Sequence, residues 1–271
     1  MVCGKEYSKA LNAATRPALS LRMPNLFILA GPNGAGKSTS APRVLSGPRR
    51  VDEFVNADVI QKEEGVSEIE AGRRTLARLE ALAAARRDLA FETTLASRGL
   101  LPRIRSLQAQ GYLCHLVFCW LPSADMAVQR VARRVAAGGH DIPEDVIRRR
   151  YERGLENLFG DYVDAVNSWQ LVDNTSAPPP RLIAVRYART GVRIFDNRIW
   201  TTLAARYMKP RAEQQPVAVT EQDLGWTSQD ILDAINEAVT EALRRHKARG
   251  ESVVIWRDGK IVELKPEEID V

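Results

Sequence analysis

Apolar and polar positions along this chain switch repeatedly between a strand-like and a helix-like spacing. Short runs at Leu26 to Ala30, Glu53 to Asn56, Leu89 to Glu92, Tyr112 to Leu121 and Gln170 to Val172 read as strands. Between them, helical spacing predicts a helix from Lys37, one through Arg73 to Arg87, and one over Leu100 to Gln110. A long helix from Ala124 to Ala137 and two more within 143–166 follow. Such alternation predicts an α/β fold with a mainly parallel sheet and helices on both faces. Ligands of such sheets bind beyond the carboxyl ends of the strands. After Pro178-Pro179-Pro180, strand candidates Leu182 to Tyr187 and Val192 to Phe195, joined by Thr190-Gly191, complete the sheet.

The two ends of the chain read differently. Residues 1–22 carry Pro17 and no sustained period, which predicts a flexible leader and makes Met23 a second candidate start. Near the other end, Thr227 is an N-cap candidate, Ile231, Ile235, Val239 and Leu243 form one apolar stripe, and Gly250 is a stop. Val253 to Trp256 and Ile261 to Leu264 then flank Asp258-Gly259, a two-residue hairpin signal. The expected division is a leader (1–22), a main domain (23–210) and a helix-plus-hairpin appendage (211–271).

Charge sharpens that division. The chain of 271 residues has net charge +5, yet residues 211–271 hold 8 basic and 13 acidic side chains, so −5 lies in the appendage and +10 in the body. A basic body suits phosphorylated ligands or nucleic acid. One expectation is that the acidic appendage, with Trp256 in its hairpin, docks on a basic lid and restrains it; another is that it completes the fold or mediates dimerisation. Three cysteines without CxxC spacing and three scattered histidines form no zinc pattern. They fit a reducing cytoplasm, and no run reaches the roughly 18–20 apolar residues of a membrane span.

The strongest chemical signal is Gly31 to Ser38, GPNGAGKS, which satisfies GxxxxGK(S/T) between an apolar strand and a helix. Gly31, Pro32, Asn33, Gly34, Ala35, Gly36, Lys37, Ser38 and Thr39 are the expected nucleotide-binding residues. Glycines turn the backbone so that successive N–H groups face phosphate oxygens. Lys37 would reach the β and γ phosphates of ATP, and the Ser38 hydroxyl would bind Mg2+. No NKxD motif is present, against a GTPase switch, and the strand Tyr112 to Leu121 does not end in an acid. The pattern points to a small-molecule kinase.

Two further strands end in polar groups, FVNAD (Phe54 to Asp58) and FETT (Phe91 to Thr94). Asp58 is placed to accept a hydroxyl proton, although with Gln61 it also makes a capping box. Glu92, Thr93 and Thr94 are candidate acceptor-binding residues, with helix capping as the other reading of the threonines. Arg130 to Arg153 holds seven arginines against four acids. They suit a lid that clamps phosphates or a solvated face with ion pairs such as Glu144 to Arg148.

Together AGPNGAGKST (Ala30 to Thr39), FVNAD, FETT, RVARRVAAGGHDIPEDVIRRRY (Arg130 to Tyr151) and LVDNT (Leu171 to Thr175) resemble the zeta toxin family of P-loop kinases, over about residues 24–200. The resemblance implies an ATP- and Mg2+-dependent kinase whose acceptor is the 3′-hydroxyl of the amino sugar of UDP-N-acetylglucosamine, with a separate antitoxin as partner. It implies Lys37 and Ser38 at ATP and metal, Asp58 as general base, and Glu92 with Thr93 or Thr94 at the acceptor. Arg134 with Arg149 or Arg150 would be the lid pair on the phosphates. The appendage at 211–271 departs from the family pattern. Two other readings stand beside this one: a metabolic kinase of another nucleotide, sugar or cofactor, and a nucleotide-dependent nucleic-acid-binding module, against which no aromatic-and-basic motif is found.

Overall fold

A computed structural model describes residues 23–39, 51, 53–175, 181–187, 191–208, 240–241, 243–257 and 260–270. Its strands are β1 (Asn25–Ala30), β2 (Glu53–Val55), β3 (Leu89–Thr93), β4 (Leu113–Trp120), β5 (Ser168–Asp173), β6 (Arg181–Tyr187), β7 (Gly191–Ile194), β8 (Val253–Arg257) and β9 (Lys260–Leu264). The first seven form one sheet in the order β2-β3-β1-β4-β5-β6-β7. β1 through β5 run parallel, whereas β6 and β7 are antiparallel additions at one edge. This is the mostly parallel sheet that the alternating pattern predicts.

Parallel register gathers the strand ends. Ala30 pairs with Thr93 on one side and Phe118 on the other, and Trp120 pairs with Asp173. The segments after β1, β3, β4 and β5 therefore leave the sheet along one edge. β1 is buried on both faces because its period-2 alternation serves two cores. Leu26, Ile28 and Ala30 enter the larger cluster, and Phe27 and Leu29 enter a smaller one with Val117, Val172 and Val185. The larger cluster also takes Leu79, Ile104, Met126, Val131, Ile147 and Trp200 from the helices.

Those helices follow local signals. Ser67 accepts the Glu70 N–H to start Glu68–Ala84, Ser123 accepts the Met126 N–H to start Ala124–Ala136, and Asp196 accepts the Ile199 N–H to start Asn197–Tyr207. The last of these is absent from the sequence reading, as is the separate short helix Ala57–Glu64. Where two helices are expected in 143–166, Glu144–Asn157 passes directly through a π-helical turn, Leu158–Tyr162, into Val163–Ala165. Phe159 and Tyr162 of that turn are buried, so the extra residue per turn is held by packing.

The expected hairpin is present as β8 and β9, and residues 243–249 are helical ahead of Gly250, whose φ is +69°. The leader, the expected N-cap at Thr227 and the Trp256 side chain lie outside the described residues. No helix among the described residues is long and apolar enough to cross a membrane. Leu116 lies mid-strand in β4 at 1% exposure within the larger cluster. Leu116→Ala is expected to lower stability by about 2–5 kcal/mol, read in urea unfolding as a lower midpoint with an unchanged slope.

Candidate nucleotide and phosphoryl-transfer site

The chain leaves β1 through Gly31, and the geometry there admits no side chain. Gly31 has φ +139°, and a Cβ would lie 2.3 Å from the Cys119 carbonyl oxygen on β4. Gly36 has φ +78° and abuts the Asn174 amide, where a Cβ would lie 2.8 Å from Nδ2. That amide in turn donates to the Ala35 carbonyl at 2.6 Å. The loop is thus pressed between the ends of β4 and β5, and a helical turn begins at Lys37.

Lys37 is 5% exposed. Its ammonium donates to the Pro32 carbonyl at 2.9 Å and lies 3.5 Å from Glu92 Oε1. The Ser38 hydroxyl donates to Glu92 Oε2 at 2.6 Å, and the Asn56 side-chain amide donates to the same oxygen at 3.1 Å. One carboxylate at the end of β3 therefore joins the P-loop cation, the P-loop hydroxyl and the end of β2. A buried ammonium needs a compensating charge, and Glu92 supplies it.

Hydroxyl, carboxylate and amide oxygens are hard donors of the kind Mg2+ takes. Among the described residues no group of three or more His, Cys, Asp or Glu could form an all-protein cage. Ser38 with a carboxylate suits a metal that keeps water and draws its remaining oxygens from a phosphorylated ligand.

A cleft of about 840 Å³ opens beside this cluster, within the usual range of about 300–1,000 Å³ for small-molecule sites. Asn33, Gly34, Gly36, Lys37, Ser38, Thr39 and Glu92 line one side of it, and Arg133 and Arg134 line another. Asn33 is 6% exposed and its Oδ1 meets no protein donor; neither does the buried Arg134 Nε meet an acceptor. Arg134 reaches the His140 carbonyl at 2.9 Å through Nη2, which folds the Gly138-Gly139 turn against its own helix.

The remaining expected site residues are placed unequally. Pro32 and Ala35 close a tight turn, with the Ala35 N–H on the Pro32 carbonyl at 3.2 Å. Asp58 falls in the first turn of Ala57–Glu64, directly after Asn56, and its side chain lies outside the described residues. The Thr93 hydroxyl accepts the Leu95 N–H at 3.0 Å, a local turn rather than a helix cap. Thr94 presents its carbonyl to Gly154, where a Cβ would stand 2.7 Å away. Leu95 is fully buried at φ +59°, a strained conformation fixed by Asn157 Nδ2 on its carbonyl at 2.8 Å.

Arg149 pairs with Asp145 at 3.7 Å and is mostly exposed, and neither it nor Arg150 borders the cleft. The ion-pair reading of Arg148 holds: it contacts Glu144 at 2.7 Å and Asp125 at 2.6 Å. Asn56, Asn174 and Arg130 are structural members of the site that the sequence reading leaves without a role. Arg130 Nη1 donates to the Asn174 carbonyl at 2.9 Å and to the Gly34 carbonyl at 3.4 Å, and Nη2 donates to the Thr175 carbonyl at 3.1 Å. Burial brings its pKa down to about 10, against the opposing field of Asp173.

The fold and this loop define a P-loop protein of the kinase-like type. A family model described as an AAA domain matches residues 26–158. A Haemophilus influenzae protein known only as an uncharacterized protein is 24% identical over 123 residues, 45% of this chain and 88% of its own length. A chain in the crystal structure of AvrRxo1-ORF1:-ORF2 with ATP shares the fold at TM-score 0.53 and 12% identity, over 81% of this chain and 76% of that one. A chain of the Streptococcus pneumoniae PezAT toxin-antitoxin structure aligns at TM-score 0.49 and 14% identity, covering 85% and 93%. The chain spans 47% of a matched chain in the Pnkp1/Rnl/Hen1 RNA repair complex, at TM-score 0.44 and 21% identity over 52% of this chain.

Two cysteines lie in β4, Cys119 beneath Gly31 and Cys114 toward the start of the strand. Burial pushes the Cys114 thiol from 9.0 up to about 12, and does the same to Cys119, where the nearby Lys37 opposes and Glu92 reinforces the shift. Folding thus raises both values, so the contribution to stability is complete below about pH 9 and is lost as pH rises toward 12. With Cys3 replaced by serine, native protein near pH 8 is expected to leave both buried thiols unreactive to an aromatic disulfide reagent over minutes. Urea-unfolded protein should react at both, which a thiol titration reads directly.

Proposed function

We propose that the chain is an ATP-dependent small-molecule kinase that phosphorylates a hydroxyl of a nucleotide sugar, with the 3′-hydroxyl of UDP-N-acetylglucosamine as the leading acceptor. The observation that carries the kinase reading is the junction of Glu92 with both Lys37 and Ser38 at the mouth of the P-loop. The acceptor is supported by the resemblance of FVNAD, FETT and the arginine-rich stretch to the zeta toxin family. A separate antitoxin partner rests on the same resemblance.

In this reading the P-loop N–H groups hold the phosphates of ATP. Lys37 exchanges its Pro32 carbonyl for a phosphate oxygen and stabilises charge on the transferring group. Mg2+, held through Ser38 and Glu92, supplies charge neutralisation between the phosphates when bound. Asn56 and Glu92 orient the acceptor side, and Asp58 accepts the proton of the attacking hydroxyl. The acceptor oxygen forms a bond to the γ phosphorus as the bond to the β-phosphate oxygen breaks, and ADP leaves. Arg134, which borders the cleft, neutralises the phosphates from the opposite side. Arg149 and Arg150 take this role only if their helix moves toward the cleft.

The test is phosphoryl transfer from ATP to UDP-N-acetylglucosamine, with mass spectrometry of the product. Wild type is expected to add one phosphate, and Lys37→Ala, Asp58→Ala and Glu92→Gln each to lower the rate by about 100-fold or more. ATP binding without a sugar product overturns the acceptor and directs the search to other hydroxyl metabolites. A product whose rate is unchanged in Glu92→Gln overturns the assigned role of that carboxylate.

A further inference from the structure

Part of the cleft wall beside the P-loop is built by a segment far along the chain. Leu243, His246, Arg249 and residues 251–255 line the same cavity as Asn33 and Lys37. These residues lie beyond the span matched by the family model and within the region of unusual acidity. Their place at the cleft has three supports. Arg130 Nε donates to the Val254 carbonyl at 3.1 Å, the Val254 side chain is buried in the main core cluster, and Arg133 pairs with Glu263 across the gap between the Ala124–Ala136 helix and β9.

Behind this contact the segment has its own small core of Leu243, Ile255, Leu264 and Ile269. Lys247 Nζ donates to the Ile269 carbonyl at 2.8 Å, and His246 Nδ1 lies 2.8 Å from Glu251 Oε2. Period-2 alternation on β8 explains the arrangement: Val254 faces the domain and Ile255 faces the segment's own core.

We propose that residues 243–255 are part of the nucleotide site, forming the wall against which the nucleoside half of a nucleoside triphosphate rests. This rests on the reading of the cleft as an ATP site. The phosphate end must face the loop N–H groups, and the sheet closes the cleft beneath them. The nucleoside then extends toward 136–139 and 246–255, which bound the rest of the cavity. Asn33 Oδ1, buried on the lining and without a hydrogen-bond donor among the described residues, is an acceptor open to a ligand donor. One guanidinium, Arg130, holds both the Gly34 carbonyl of the loop and the Val254 carbonyl of the wall. Ordering either element therefore favours the other, and nucleotide binding and docking of the segment are linked equilibria.

Hydrogen–deuterium exchange of the full chain, with and without the Mg2+ complex of a non-hydrolysable ATP analogue, tests this. Slowed exchange is expected both in 31–39 and in β8 and β9. Protection of 31–39 with β8 and β9 unchanged would overturn the proposal while leaving the ATP site intact. Protection of neither overturns the ATP reading itself. As a second measurement, Glu263→Arg, at a residue that does not itself line the cleft, replaces the ion pair with Arg133 by two facing cations and should weaken binding of the analogue about fivefold by loosening the wall. Unchanged affinity in a variant whose strands exchange faster counts against the linkage.

Discussion

The site depends on how one buried cation is satisfied. Taking a guanidinium out of water costs several kcal/mol unless its donors are met, and Arg130 meets that demand with four backbone carbonyls rather than a single carboxylate. Those carbonyls belong to the P-loop, to the two residues after β5 and to β8. The guanidinium therefore fixes the relative placement of three segments that share no sequence proximity. A carboxylate partner would neutralise the charge but would tie Arg130 to one segment alone. Asp173, close enough to favour the charged form, is instead committed to Arg181 at 2.8 Å and to the Thr175 N–H at 3.0 Å, which shapes the turn that offers Arg130 its carbonyls.

A second charge balance sets the chemistry. Lys37 is nearly inaccessible, and among the described residues its ammonium meets the Pro32 carbonyl and the Glu92 carboxylate. Phosphate oxygens compete for the same ammonium, and a metal competes for the same carboxylate through Ser38. In the proposed function, binding of a magnesium nucleotide would exchange one set of charge pairs for another. Such exchange keeps the electrostatic cost of loading low while leaving the donors aimed where transition-state charge develops. Asn56, bonded to Glu92, holds that carboxylate by a neutral group that persists through the exchange.

Much of this was legible in the sequence because it is local. Period-2 runs give the strands, GPNGAGKS gives the loop, and Asp258-Gly259 between apolar runs gives the hairpin. The elements missed are those fixed by tertiary packing: the Asn197–Tyr207 helix, whose Trp200 stacks on Trp169 with centroids 5.9 Å apart, and the π-helical turn held by buried Phe159. Within the site, Lys37, Ser38, Glu92 and Arg134, all singled out from the motifs, line one cleft. Arg149 and Arg150 are implied as lid residues by the family resemblance of the arginine-rich stretch, but a helix carries its arginines around its whole circumference, so only a subset can border a cleft. Arg130 and Asn174 were in plain view within quoted motifs. Their bonds are to backbone carbonyls, which leave no complementary residue type for a sequence reading to find.

Net charge was the least informative signal for the same reason. The last part of the chain is acidic as a whole, and an acidic segment beside a triphosphate would repel it. Along the cleft the balance reverses. Lys37, Arg130, Arg133, Arg134 and Arg249 line it against Glu92 and Glu251, while Glu263 is turned onto Arg133 and Glu251 contacts His246. At distances comparable to the Debye length of about 8 Å, placement outweighs the sum. The described part of the segment can therefore wall a cleft whose lining carries more cations than acids without opposing an anionic ligand.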